Sequence, residues 1–414
     1  MKKISAILLV LLAAVACGAP AAKSGTSATA PEPVTKTLTD DRQQPLVEAG
    51  NDFAFRFLRQ IDRNEPDDWF VSPVSMQFLL GMLLSGAQDG TADEIARVLG
   101  YGADEIDAAN AYARAMLDSL PVRDPKTKLT LANAIFLNEQ AKLKPAYVQQ
   151  MDAYYDATVE NLDFRNGTAS LKRINGWCSE KTNGLIPGVL DKVEPEMLAY
   201  LLNALYFKGS WQDAFPAKRT EEKPFHREQG GDTPVKMMQQ TERFRYGEHA
   251  LCRSVRLPYG NGAFSMIVLL PAGGRTVGEL AAALDADSWN EICAGQYSVK
   301  VDLWLPRFET KYHVKLNDIL SEMGMPRAFK KGKADFKAMS DRADYLDFVQ
   351  QDAVIKVDET GSEAAAISSA GMMMTTAVGQ QPRIVEFHAD RPFLYVITEA
   401  KSGAILFAGK YTGK

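Results

Sequence analysis

From Ala364 to Thr376 the chain carries no charge and no proline, and most of its residues there are very small. The segment is led in by Glu359-Thr360-Gly361-Ser362-Glu363-Ala364-Ala365-Ala366 and ends in Met372, Met373, Met374, Thr375 and Thr376. If it is extended, Ser362, Ala364, Ala366, Ser368, Ala370 and Met372 share one face, because strand side chains alternate. All but the last are small enough to slide over a packed core without clashing. Upstream, Tyr345 to Val357 reads as a strand, and downstream Pro392 to Tyr411 reads as a closing hairpin. A loop able to become a strand, next to a strand able to pair with it, predicts a fold that changes its own topology.

The 414 residues are 46% hydrophobic, 24% charged and 9% aromatic, enough to bury one large core. A net charge of −5 and a pI near 5.6 argue against nucleic acid as a partner. The longest basic cluster, Lys330-Lys331-Gly332-Lys333, is short and broken by glycine, as in a solvated turn. At the N-terminus, Lys2 and Lys3 precede an apolar run from Ile4 to Ala16 that is too short to span a bilayer. Residues 1–16 are expected to be a signal peptide, cut after Ala14-Val15-Ala16. Cys17 then becomes the first mature residue, which points to a lipidated bacterial protein on the outer membrane or cell surface. Simple secretion or a periplasmic location is the alternative, and Ala14 is smaller than a lipidation signal usually carries. Residues 17–45 are rich in Ala, Ser, Thr and Pro and read as a flexible tether. Residues 46–414 then form one domain, a monomer whose only membrane contact is the N-terminal lipid.

Cys178, Cys252 and Cys293 are an odd, scattered set, which argues against a disulfide framework. Cys178 and Cys252 read as buried apolar thiols. The first third of the domain is helical by periodicity: Leu46 to Arg63, Ser75 to Ser85, Thr91 to Leu99 and Ala103 to Leu120. Leu129 to Leu137 reads as a strand, and Pro145 to Ala157 and Ala169 to Thr182 return to helix. From Ala199 strands dominate, with Ala263 to Leu270 and Ser298 to Leu305 clearest. Helices first and strands later indicate an α+β fold. His226, His249, His313 and His388 are dispersed, and no metal-ligand spacing, P-loop or nucleophile elbow occurs. Neither an enzyme nor a resident metal or cofactor is expected.

Six runs, in order, carry a resemblance to a known family. They are Phe70-Val71-Ser72-Pro73-Val74-Ser75, Gly86-Ala87-Gln88-Asp89-Gly90-Thr91, Leu202 to Trp211, Leu305-Pro306-Arg307-Phe308-Glu309, Val357 to Ala366, and the C-terminal pair Ala389 to Phe393 with Ile405 to Lys410. Over about Asn51 to Lys410 the chain resembles the serpins. The resemblance implies three β-sheets, about eight or nine helices and an exposed reactive loop. It implies a suicide-substrate inhibitor of serine proteases: the enzyme cleaves the loop, forms an acyl-enzyme, and is dragged away as the loop inserts into the main sheet. Such insertion adds a strand to the sheet and releases stored strain.

Counted from the hinge glutamate Glu359, the family pattern places the reactive bond at Thr375-Thr376, with Met374-Thr375 second. The stretch from Thr376 to Phe387 is longer than usual, which leaves Arg383 too far past the bond to bait a trypsin-like enzyme. Met372, Met373 and Met374 suit apolar subsites of elastase-, chymotrypsin- or subtilisin-like proteases. Papain-like cysteine proteases, which read the residue before the bond's donor, are a second class able to take Met374. The hinge comprises Glu359, Gly361, Ser362, Glu363, Ala364, Ala365 and Ala366. Ser72, Ser75 and Asn203 match the polar cluster beneath the main sheet, and Gln351 stands where the family usually has a histidine. Trp211 matches the aromatic where the loop first enters. The rival reading is a non-inhibitory serpin that binds or carries, but such members typically have bulky, charged or proline-bearing hinges. Ala103 to Leu120 is not basic, so glycosaminoglycan activation is not expected.

Overall fold

A computed structural model describes residues 44–102, 105–347, 349–362 and 383–414. The helical first third comprises α1 (Gln44–Asn64), α2 (Pro73–Gly86), α3 (Asp89–Leu99) and α4 (Ile106–Ser119), with β1 (Trp69–Val71) between the first two. Next come β2 (Thr127–Asn138), α5 (Pro145–Tyr155), β3 (Thr158–Leu162), α6 (Gly167–Lys181) and β4 (Ala199–Ser210). The strand-rich part holds β5 (Glu221–His226), β6 (Asp232–Glu248), β7 (Cys252–Tyr259), β8 (Phe264–Pro271), β9 (Tyr297–Pro306) and β10 (Phe308–Lys315). Helices α7 (Val277–Ala283) and α8 (Ala286–Ala294) precede β9, and α9 (Asn317–Met323) follows β10. The chain closes with β11 (Gln350–Asp358), β12 (Gly361–Ser362), β13 (Ile384–His388), β14 (Phe393–Glu399) and β15 (Ile405–Tyr411).

Helix α2 shows how the sequence sets the centre. Ser72 caps it, accepting from the Ser75 N–H, and Pro73 opens it with a pre-set φ. Val74 to Leu84 are buried on every side, because α2 packs against β4 on one side and β15 on the other. Each buried Leu, Met or Phe there contributes about 1.5–3 kcal/mol of transfer free energy. Such a helix has no polar face to lose, which is why it reads as continuously apolar.

Six strands form the sheet β10-β11-β12-β4-β2-β3, antiparallel except for β2 with β3. Odd-numbered positions of β4 and β11, such as Asn203, Phe207, Gln351 and Ile355, face α2 and the main core. Even positions face a second core, where Phe136 packs edge-on against Trp177 of α6. The other strands form one network, β1-β15-β14-β8-β7-β6-β9-β13, with β5 added on β6. Two of the three expected sheets are thus joined. Strand β6 is long enough to pair with β5 and β9 along most of its length and with β7 at its end.

The strand expected from Tyr345 begins instead at Gln350. Before it, backbone groups are already taken: Leu346 N–H donates to Ala328 O at 2.8 Å, and Asn317 bridges Asp347 O and Val349 N–H. Helix α4 begins at Ile106, with residues 103–104 outside the described set. Among the described residues no helix is long and apolar enough to cross a membrane, and no cluster could hold a metal ion.

Candidate functional site

The turn after β11 is locked by Asp358, whose carboxylate accepts from Thr360 N–H at 2.8 Å and Thr360 Oγ1 at 2.7 Å. This local turn sends Gly361 and Ser362 back as β12, antiparallel to both neighbours. Gly361 pairs with Asp358 and Ser210, and Ser362 with Val357 and Gly209. Gly361 has φ +155°, and a β-carbon there would lie 2.0 Å from Gly209 O, so glycine is required. Ser362 points into the core, where its hydroxyl meets Tyr259 OH at 2.7 Å. Burial pushes the Tyr259 phenol far above its ordinary range, so it stays neutral.

Three groups hold this entry point. Trp211 Nε1 donates to Asp358 O at 2.9 Å, its N–H donates to Thr360 O at 2.8 Å, and its ring stacks on Tyr259 at 4.4 Å. Glu359 is buried; Arg307 Nη2 reaches both its carboxylate oxygens at 2.6 Å, and Thr220 Oγ1 donates at 2.7 Å. Burial alone would raise the Glu359 carboxyl, but Thr220 and Arg307 outweigh it and hold the group below the ordinary glutamate value. Arg307, Thr220 and Tyr259 are partners that sequence reading missed. Only Arg307 left a signal, as the lone cation of the Leu305-to-Glu309 run.

Below Ser362, no ladder joins β11 directly to β4 among the described residues. The polar cluster lies there. Gln351 clamps Ser72 with both amide atoms, Oε1 accepting from Ser72 N–H at 2.9 Å and Nε2 donating to Ser72 O at 3.0 Å. Ser72 Oγ donates to Leu406 O at 2.7 Å, and Ser75 Oγ donates to Asn203 Oδ1. Asn203 Nδ2 in turn donates to Asn133 Oδ1 at 2.6 Å, which adds Asn133 to the cluster. Further down, a cavity of about 770 Å³ separates the lower ends of β4 and β11, with Leu201, Asn203, Gln350 and Asp352 on its walls and Trp177 of α6 above. Structure therefore brings together Ser72, Ser75, Asn203 and Gln351, and separately Trp211, Glu359, Gly361 and Ser362. Glu363, Ala364, Ala365, Ala366, Met372, Met373, Met374, Thr375, Thr376 and Cys17 lie outside the described residues. Cys178 and Cys252 are buried free thiols, pushed up to about 12 by burial.

The sequence matches the family described as serpin (serine protease inhibitor) over residues 48–413. This chain belongs to the serpin family. As a family member it stands among protease inhibitors rather than enzymes. It is 33% identical to a leukocyte elastase inhibitor of Xenopus tropicalis, over 89% of this chain and 99% of that protein. The thermophilic serpin tengpin in its native state superposes with a TM-score of 0.81 at 28% identity, covering 92% of this serpin and 96% of tengpin. Thyroxine-binding globulin complexed with thyroxine is similar at 25% identity and a TM-score of 0.79, over 88% and 98% of the two chains.

Proposed function

We propose that this serpin is a suicide-substrate inhibitor of serine proteases of elastase-, chymotrypsin- or subtilisin-like specificity, with papain-like cysteine proteases as a second class of target. The observation that carries the reading is β12, two residues of loop root already wedged between β11 and β4 above a slot that no described residue pairs across. Continuing both ladders in register would seat Ala364 between Phe207 and Ile355, and Ser368 between Asn203 and Gln351. The inward face of the inserted strand is then Ser362, Ala364, Ala366, Ser368 and Ala370, with no bulky side chain until Met372. Ser368 would meet the amides that now hold Ser72 and Ser75, so insertion exchanges hydrogen bonds instead of orphaning them. The cavity between the lower strand ends lies where the last inserting residues would arrive.

Cleavage at Thr375-Thr376 frees this strand. Its travel, about 14 residues at ~3.3 Å each, carries an acylated protease about 45 Å before water resolves the ester. New ladder bonds at ~1 kcal/mol net each supply a drive on the order of ten kcal/mol. Gln351 cannot titrate, so the exchange beneath the sheet runs without a pH gate. Residues 1–16 act as an export signal, and Cys17 carries lipid at the end of the 17–45 tether.

The test is incubation with elastase-like and subtilisin-like proteases followed by a denaturing gel and mass measurement. A band near the summed mass and a released fragment starting at Thr376 are expected. Cleavage without any stable band would favour a binding or carrier role instead.

A further inference from the structure

On the outer face of the larger network, β6, β9 and β13 run side by side and carry a row that folding alone disfavours. Arg243 of β6 stands opposite Lys300 of β9, and Lys300 stands opposite Ile384 of β13. Cross-strand partners share a face, and like charges placed opposite one another destabilise the pair. Arg243 is exposed and Ile384 is 51% exposed. Arg245, exposed and opposite Ser298, continues the same face and donates to Gln296 O at 3.0 Å. Arg383, also exposed, immediately precedes β13. Among the described residues no carboxylate pairs with Arg243, Lys300 or Arg383, in a chain whose net charge is −5. The next row holds two acids opposite each other, Asp302 and Glu386; Asp302 is engaged by His388 at 3.1 Å and Thr241 at 3.2 Å.

We propose that this row is an exosite for the target protease, taking an acidic rim with an apolar centre on the enzyme surface beside its cleft. The proposal rests on the inhibitor reading and adds the surface chemistry of the partner. Its geometry follows from chain length. Between the bond at Thr375-Thr376 and Arg383 there are too few residues to span more than about 25 Å when extended. A protease domain is about 40 Å across by the scaling of compact chains. An enzyme engaged at the bond must therefore overhang the end of β13. The exposed Ile384, beside Lys300 on this face, favours a protein over a polyanion, since sulfates or lipid phosphates have no use for apolar surface, whereas protein contacts are centred on it. Charges on such a rim act chiefly on the rate of encounter.

The test uses the full chain carrying Lys300→Glu or Arg243→Glu, one at a time. Each reversal places opposite charges across the β6–β9 pair, so the melting temperature should hold or rise. The rate of complex formation with an acidic-surfaced elastase-like protease should fall about tenfold at low salt. It should converge with wild type near 1 M salt, where screening acts within about 3 Å. Ile384→Ser should slow association at every salt concentration. The same variants are titrated against that protease with its catalytic serine replaced by alanine, which reads docking without trapping. Wild type that traps protease, with reversals that leave rate and docking unchanged, overturns the exosite alone. Weakened docking without trapping in any variant supports the exosite while the inhibitor reading falls. Loss of heparin retention with unchanged protease rates would make the row a polyanion site and overturn the proposal.

Discussion

On the proposed mechanism, Ser362 bears the first step of insertion. It is 1% exposed and hydrogen-bonded to a neutral tyrosine, so an arginine at that position must bury an unpaired charge or leave the slot. Burial of that kind costs about 3–5 kcal/mol. The two-residue ladder of β12 is short enough to open without unfolding the domain, so Ser362→Arg should fold yet insert slowly. Deacylation then wins, and the denaturing gel should show cleaved serpin and free protease in place of a stable band; undiminished trapping would contradict this. Glu359 is clamped by Arg307 and Thr220 beside the same turn. Its folded carboxyl sits below the ordinary value of 4.5, so its contribution is present above that value and fades as pH falls through the folded one. Because Arg307 is 48% exposed, the clamp is worth only about 1 kcal/mol. Glu359→Gln should lower the melting temperature at pH 7 and converge with wild type as the pH falls below the folded value. A gap that stays constant with pH would remove the clamp from the account.

At the scale of elements, the sequence was most readable where one periodicity ran long. Helices α1, α2 and α6 and strands β2, β8 and β9 lie within a few residues of their expected spans. Short elements escaped. Helix α7 spans Val277–Ala283 and strand β13 spans Ile384–His388, too brief for a pattern to rise above its neighbours. Yet α7 did carry a local signature, the capping box of Thr276 with Glu279, and α8 carried another in Asp285 with Ser288. The seat of β12 was legible only in part. Small alternate residues predicted that Ser362 faces inward, and it does. That Gly361 would lie between Ser210 and Asp358 depends on a register set by chain 150 residues away, which no local pattern encodes. A separation of 52 residues likewise hides the contact between Arg307 and Glu359.

For the whole molecule, the proposed function requires a lipid anchor at the N-terminus and a domain whose intact form is not its most stable form. Cys17→Ala should shift the protein from the membrane fraction to the soluble one. A mature N-terminus lacking Cys17, or unchanged fractionation, would contradict the anchor. On the proposed mechanism the domain's reserve of stability lies in the slot between β4 and β11, and the most direct test is to fill it. Wild-type protein nicked at the reactive loop, without an attached protease, is heated beside intact protein. With insertion worth on the order of ten kcal/mol and an unfolding entropy of about 2.1 cal/mol/K per residue, the cleaved form should melt roughly 13 °C above the intact one. A cleaved form that melts with the intact protein would mean the loop does not enter the sheet, and the inhibitory mechanism would fall with it.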